Sequence, residues 1–306
     1  FSSATQDIAI DAYRIEAAPA NDQAALSAAY ILGYRSALLV SGAGALYAAE
    51  YLGWVAAYQV MAVCGGVGLV TTLLIPRPAL ANDESPPETD GDRSTWPGFQ
   101  VMFLAPIADF FVRNGRFAVF LLSFIALYRL SDITMGIMAN PFYLDLGYSK
   151  LEIANIAKGL GFALSILGSF LGGVLVVRWG VLITLLIGGV AVALTNLLFA
   201  ALALTEPNLI WLGLIIGADN LSGGIAATSF IAYLSSLTHT AYTATQYALF
   251  SSLMTLPGKF TSGFSGIAVD SVGYPVFFIG AGVLGIPAIV MVLYLIHRES
   301  EPIVRA

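Results

Sequence analysis

Residues 181–204 read VLITLLIGGVAVALTNLLFAALAL. No ionisable side chain interrupts the run, and about 20 residues of helix at 1.5 Å each cross a hydrocarbon core of about 30 Å. In lipid a segment of this kind must be helical, because its backbone N–H and C=O groups find partners only within the segment itself. Working outward, further apolar stretches pass the same test near 26–48, 54–75, 117–142, 153–177, 209–236, 243–270 and 274–296. Another, at 1–18, starts abruptly. The fold class expected is therefore an all-α polytopic membrane protein.

Composition points the same way, with 58% apolar and 10% charged residues and a mean hydropathy of +0.83. That balance lies far outside the range of water-soluble domains. The single cysteine, Cys64, sits in an apolar run, so neither a disulfide framework nor a thiol-metal cluster is expected. Two histidines, His239 and His297, form no ligand set, and no cofactor or metal is anticipated. A net charge of -6 with no basic stripe excludes a nucleic-acid partner. Phe1 is not preceded by the basic segment of a signal peptide.

One stretch breaks the pattern. Pro76-Arg77-Pro78 leads into Asn82-Asp83-Glu84-Ser85-Pro86-Pro87-Glu88, too polar and Pro-rich to bury a core. Beyond it Phe99, Met102, Phe103, Ile107, Phe110 and Phe111 recur at helical spacing before Arg113 and Arg116, which predicts an amphipathic helix on the membrane surface. The expected organisation is a partial N-terminal bundle over 1–75, a linker over 76–116, a six-helix bundle over 117–297 and a tail over 298–306. Basic residues gather at one set of span ends, namely Arg14, Arg77, Arg93, Arg113, Arg116, Arg178, Arg298 and Arg305, with Lys150 opposite. By the positive-inside rule the linker and C-terminus face the cytoplasm.

The two parts echo each other in order. Gln23-Ala-Ala-Leu26 and Gly33-Tyr34-Arg35 match Gln246-Tyr-Ala-Leu249 and Gly258-Lys259, and Gly53-Trp54 matches Gly273-Tyr274. Repeated halves are typical of secondary transporters. On this reading the span at 26–48 is the fifth of twelve, Phe1 enters the fourth, and about nine of the twelve spans are present.

Charges inside such spans are expensive, by at least about 2.5 kcal/mol each on insertion scales. The candidates are Asp7, Asp11, Arg35, Arg129, Asp132, Lys158, Asp219 and Lys259. Asp7 and Asp11 share one helix face, with Arg14 a turn further on, and two close carboxylates resist joint ionisation. They are the proton-coupling candidates, with Arg35 expected to meet Asp7 near the midplane; a fixed ion-pair network with Arg14 and Arg35 is the plainer alternative. Gln6, Arg35, Arg129, Asp132, Asp219 and Asn220 are the substrate-binding candidates by depth, and Gln246 is a further possible contact. Lys158 and Lys259 are possible contacts that could instead snorkel to the outer interface. Tyr34, Tyr128, Tyr143, Tyr233 and Tyr247 could stack on sugar rings, although span-end tyrosines commonly anchor at interfaces.

Six strings taken together carry a resemblance. They are Ser3-Ala-Thr-Gln6-Asp7-Ile-Ala-Ile-Asp11-Ala12, Leu32-Gly33-Tyr34-Arg35, Leu127-Tyr-Arg129-Leu-Ser-Asp132, Lys158-Gly159-Leu160-Gly161, Asp219-Asn220-Leu-Ser-Gly223-Gly224 and Thr243-Ala-Thr-Gln246-Tyr-Ala-Leu249. In this order they resemble the AmpG muropeptide permeases of the major facilitator superfamily. Gly173 with Arg178-Trp179-Gly180 is similar to that superfamily's inter-helix loop signature, with Val177 where an acid is usual. The resemblance implies a bacterial inner-membrane permease that imports N-acetylglucosaminyl-1,6-anhydro-N-acetylmuramyl peptides with protons for cell-wall recycling. Acetyl-CoA transporters share the branch and supply the alternative solute. An intramembrane enzyme fits worse: the Asp7-x-x-x-Asp11 pair lacks the second acidic cluster of a prenyltransferase, and Gly217-Ala-Asp219 is not the GxGD of an aspartyl protease.

Overall fold

The computed structural model describes residues 2–17, 19, 22–76 and 104–300. The Pro-rich part of the linker and the C-terminal tail, both singled out above, lie outside the described residues. Those described form helices α1 (Ser2–Glu16), α2 (Gln23–Leu39), α3 (Ala45–Leu74), α4 (Ala105–Asn114), α5 (Phe117–Tyr128), α6 (Leu130–Asp145) and α7 (Lys150–Ile153). They continue with α8 (Phe162–Trp179), α9 (Val181–Leu202), α10 (Leu209–Leu237), α11 (Thr243–Ser262), α12 (Ser265–Leu284) and α13 (Ile286–Ser300). Two wide π-helical turns, Val40–Gly44 and Ala154–Gly161, run directly into α3 and α8. Among the described residues seven helical stretches are long and apolar enough to cross a membrane, from Gln23–Ala49 to Ser265–Glu299.

One expected boundary changes and one expected turn takes a defined form. The span expected at 117–142 extends to Asp145 and breaks at Arg129 (φ -94°, ψ 0°) into α5 and α6. The 35-residue stretch Ser265–Glu299 is not one straight helix, because Gly273 (φ 78°, ψ 163°) turns the chain back on itself. Contacts on both sides fix that hairpin: Ser265 Oγ donates to Thr134 O at 3.3 Å, Ser131 Oγ donates to Ala281 O at 2.7 Å, and Tyr274 at the tip donates its hydroxyl to Asp145 Oδ2 at 2.6 Å. Gly53 holds nearly the same angles (φ 83°, ψ 163°), so the two turns that echo in sequence share one backbone conformation. Such positive φ is strained for a residue with a Cβ.

The expected amphipathic helix forms as α4, but its apolar face does not rest on lipid alone. Phe110 is 1% exposed and meets the edge of Phe250 at 5.1 Å, which joins α4 to the core under α5, α9, α10, α11 and α13. An aromatic side chain gains more from a close-packed protein slot than from the membrane interface.

Helix α10 is the spine. It packs against α8, α9 and α2, and small residues let the backbones nearly touch. A Cβ on Gly168 of α8 would collide with the Leu221 backbone, one on Gly224 would lie 2.5 Å from Ser165 O, and one on Gly188 of α9 would lie 2.8 Å from Ala226 Cα. In lipid, where apolar burial drives little, such close van der Waals approach holds helices together. Thr228 adds a hydrogen bond from its hydroxyl to Ser169 O at 3.2 Å. At the far end Asn208 caps α10 by accepting from Ile210 N and Trp211 N, and Tyr148 both donates to Asn208 O and accepts from its N–H.

Gly168→Val should therefore lower the thermal unfolding temperature of the detergent-solubilised protein sharply, since overpacking costs about 1–3 kcal/mol even where neighbours can yield. Gly223→Ala, whose Cβ would meet nothing within 4 Å, should leave it nearly unchanged.

Candidate functional site

The candidate charges fall into two groups along α10. The first lies between α1 and α2 on one side and α10 and α11 on the other. Its centre is Arg14, 6% exposed, which the sequence reading counts as a span-end basic residue and as a possible ion-pair partner of the aspartates. Arg14 Nη2 donates to Ser235 Oγ at 3.0 Å, and Nη1 donates to Ser27 Oγ at 3.3 Å and to Gln23 Oε1 at 3.5 Å. Both serines spend their own protons on carbonyls, Ser27 on Gln23 O and Ser235 on Ile231 O, which leaves their oxygens as acceptors for the guanidinium. The rings of Tyr30 and Tyr247 lie 5.5 and 5.3 Å from its Cζ, within cation–π range. Asp11, 9% exposed, stands 3.8 Å from Nη2, too far for a hydrogen bond, and its Oδ1 and Arg14 Nε are buried without a hydrogen-bond partner.

The second group lies deeper, at the break between α5 and α6. Arg129 and Asp132, one turn apart, form a direct ion pair, each side chain 26% exposed. Arg35 of α2 is half-buried and within electrostatic reach of both. It was expected to meet Asp7; instead its charged neighbours are Arg129 and Asp132, because α2 turns this side chain toward the second bundle. Asp219 of α10 accepts from Thr195 Oγ1 at 3.1 Å and is close enough to Asp132 and Tyr143 for their charges to interact. Asn220 donates to Ile216 O at 2.8 Å, and its amide fills the notch left by Gly161, where a Cβ would lie 3.0 Å from Nδ2. A cavity of about 20 Å³, room for about one water, is lined by Tyr128, Arg129, Ser131 and Asp132. Arg129 Nε and Asn196 Oδ1 are also buried without a hydrogen-bond partner.

The remaining candidates sit apart from both groups. Asp7 is exposed, and it lies near enough to Asp11 and Tyr30 for its charge to act on them. Gln6 is exposed and faces α3, where a Cβ on Gly68 would come within 3.3 Å of its Nε2. Lys259 is exposed, and Lys158 lies in the π-helical turn with its side chain outside the described residues. Gln246 is 1% exposed, and its amide is fully engaged: Nε2 donates to Pro106 O and Asp109 Oδ2, and Oε1 accepts from Arg113 Nη2 and His239 N. That clamp, with the Arg113–Asp109 pair at 2.9 Å, fastens α4 to the start of α11 and leaves the amide no capacity for a ligand. Of the tyrosines, Tyr128, Tyr143, Tyr233 and Tyr247 are buried and only Tyr34 is freely exposed, at 60%.

Ser27, Ser235 and Thr195 are the members of the two groups missing from the sequence reading, which placed Arg14 beside Asp11 only as part of a fixed ion-pair network. A signal existed for some of them: Gln23 and Ser27 stand four apart on an otherwise apolar helix, a polar stripe that asks for a partner.

The break thus brings ionisable side chains of α2, α6 and α10 near Arg129. A family model of the major facilitator superfamily matches residues 1–262. The chain is 33% identical over 297 residues to the putative transporter AmpG 4 of Rickettsia felis, covering 96% of this chain and 70% of that protein. It is 32% identical over 296 residues to the anhydromuropeptide permease of Escherichia coli K12, covering 96% of this chain and 57% of that protein. With the putative transporter AmpG 1 of Rickettsia bellii it shares 31% identity over 302 residues, 98% of this chain and 72% of that protein. The chain thus spans from somewhat over half to about seven tenths of the length of these curated relatives.

A double-mutant cycle on Arg129→Gln and Asp132→Asn should show coupling. Each single change leaves a partly buried partner unpaired, so the double variant should be more stable than expected from adding the two losses, by an interaction energy of about 0.5–3 kcal/mol.

Proposed function

Because the chain belongs to the major facilitator superfamily and is a multi-pass membrane transporter, we propose that its solute is an anhydromuropeptide, carried inward across a bacterial inner membrane together with protons. The observation that carries this reading is that Arg35 of α2 lies within electrostatic reach of the Arg129–Asp132 ion pair at the break between α5 and α6. An N-acetylglucosaminyl-1,6-anhydro-N-acetylmuramyl peptide offers hydroxyls, amides and a carboxylate. Two arginines present planar, always-charged donors to the carboxylate, and Asp132, Asp219 and Asn220 offer acceptors and an amide to the polar remainder. The name of the E. coli relative supports the same solute class.

Alternating access requires contacts between the bundles that form in one state and release in the other. The Arg14 cluster has that character, since it joins α1 and α2 to α10 and α11. In this reading Asp11 carries the coupling proton. Ionised, it holds Arg14 in the closed cluster; protonated, it ceases to attract the guanidinium, and the end of the molecule bearing the linker can open. Arg14 thus controls release of the proton. Asp7, exposed beside Asp11, is the path by which a proton arrives. With basic residues gathered at that end, it faces the cytoplasm.

In proteoliposomes Asp11→Asn should abolish accumulation driven by a pH gradient while preserving exchange of labelled solute at equal concentrations; normal accumulation by the variant would make the pair structural. Arg129→Gln should raise the half-saturating concentration of anhydromuropeptide by about tenfold, the scale of one lost charge-assisted hydrogen bond. Uptake should be blocked by unlabelled anhydro-disaccharide and untouched by acetyl-CoA. The reverse pattern of competition would reassign the solute to acetyl-CoA.

A further inference from the structure

A second site lies on the outside of the same seam. Where α2 of the first bundle packs on α8 of the second, their outward faces leave a groove of about 770 Å³ lined by Ala25, Ala29, Leu32, Leu167, Phe170 and Val174 among others. The seam itself is tight, with a Cβ on Gly173 reaching 3.1 Å from Ala28 Cβ. The groove exists because α2 presents alanines there: Ala25, Ala28 and Ala29 recede, while Phe170 and Val177 stand out as walls, 62% and 69% exposed. Both helices belong to stretches that cross the membrane, Gln23–Ala49 and Leu151–Trp179. Water has no stake in such a surface, and its natural occupant is hydrocarbon.

One end differs. Arg178, the penultimate residue of α8, lines the groove, is exposed, and makes no hydrogen bond or ion pair among the described residues. Trp179 beside it, 49% exposed, is the residue type that settles at headgroup level. From Arg178 to Ala163 the groove runs about 22 Å along α8 at 1.5 Å per residue, longer than the roughly 15 Å depth of one leaflet. An apolar channel of leaflet length with a lone cation at its headgroup end matches one ligand chemistry. We propose that this seam is a binding site for an anionic phospholipid, its acyl chain in the α2–α8 groove and its phosphate on Arg178. Because the lipid bridges both bundles, it acts on their relative movement whichever solute they carry, and the site stands independently of the solute assignment.

The test uses the purified protein in nanodiscs containing phosphatidylglycerol and phosphatidylcholine, each in turn carrying a photoreactive acyl chain. Cross-links from phosphatidylglycerol should concentrate on peptides holding residues 25–32 and 163–178. Arg178→Gln should lower that labelling roughly tenfold, on the scale of one lost charge-assisted contact, and Arg178→Lys should largely restore it. Ala29→Phe, which fills the groove, should reduce labelling by both lipids. A variant that fails to fold is recognised by its thermal unfolding, and the Lys and Gln pair at the exposed position then decides. Labelling spread evenly over the lipid-facing helices, equal labelling by the two lipids, or a groove shielded from both would each overturn the proposal.

Discussion

The near contact of backbones along α10 is the constraint from which the rest follows. Gly168, Gly224 and Gly188 remove the side chains that would otherwise hold α8 and α9 away. Once α10 is seated, Asp219 and Asn220 are placed beside the break at Arg129, and Ser235, about 24 Å further along the same helix, is placed against Arg14. Both charge groups are thus built on one rigid element.

Within that frame polar groups are satisfied by a repeated device. A serine or threonine returns its proton to a carbonyl on its own or a neighbouring helix and offers its oxygen inward, as Ser27 and Ser235 do for Arg14 and as Ser131 does for Asn196 Nδ2 at 2.8 Å. Hydrogen bonds of this kind make a buried cation tolerable without a second full charge. Among the atoms left over, Asp11 Oδ1, Arg14 Nε and Arg129 Nε belong to the same two groups. Incomplete pairing there suits a site that must exchange partners during a cycle, whereas the saturated clamp around Gln246 suits a fixed joint.

The two groups also divide the labour expected of a transporter. The Arg35–Arg129–Asp132 meeting lies at a helix break, where freed backbone groups and converging charges suit a solute. The Arg14 cluster lies nearer the linker end, among aromatic rings, where it joins helices that must part. The groove lies on the outward faces of α2 and α8, and α2 also carries Arg35 and the Ser27 that accepts from Arg14.

The amino-acid sequence by itself determined the membrane class, most of the spans and the repeated turns, because hydrocarbon imposes one rule on every segment and span length follows from its thickness. It also marked the costly charges, and the relation to the major facilitator superfamily was legible in six short strings that the family match bears out. Only the tertiary structure decided which charges meet. Helix periodicity places Asp7 and Arg35 at similar depth but says nothing of rotation about the axis, and rotation turns Arg35 to Arg129 and Asp132. Arg14 looked like a span-end anchor because its partners Ser235 and Tyr247 lie more than 200 residues away in the chain. Gln246 looked available for the mirror reason, since the helix that saturates it is α4, whose docking depends on Phe110 finding Phe250. Long-range contacts of this kind carry no local pattern, and packing alone sets them.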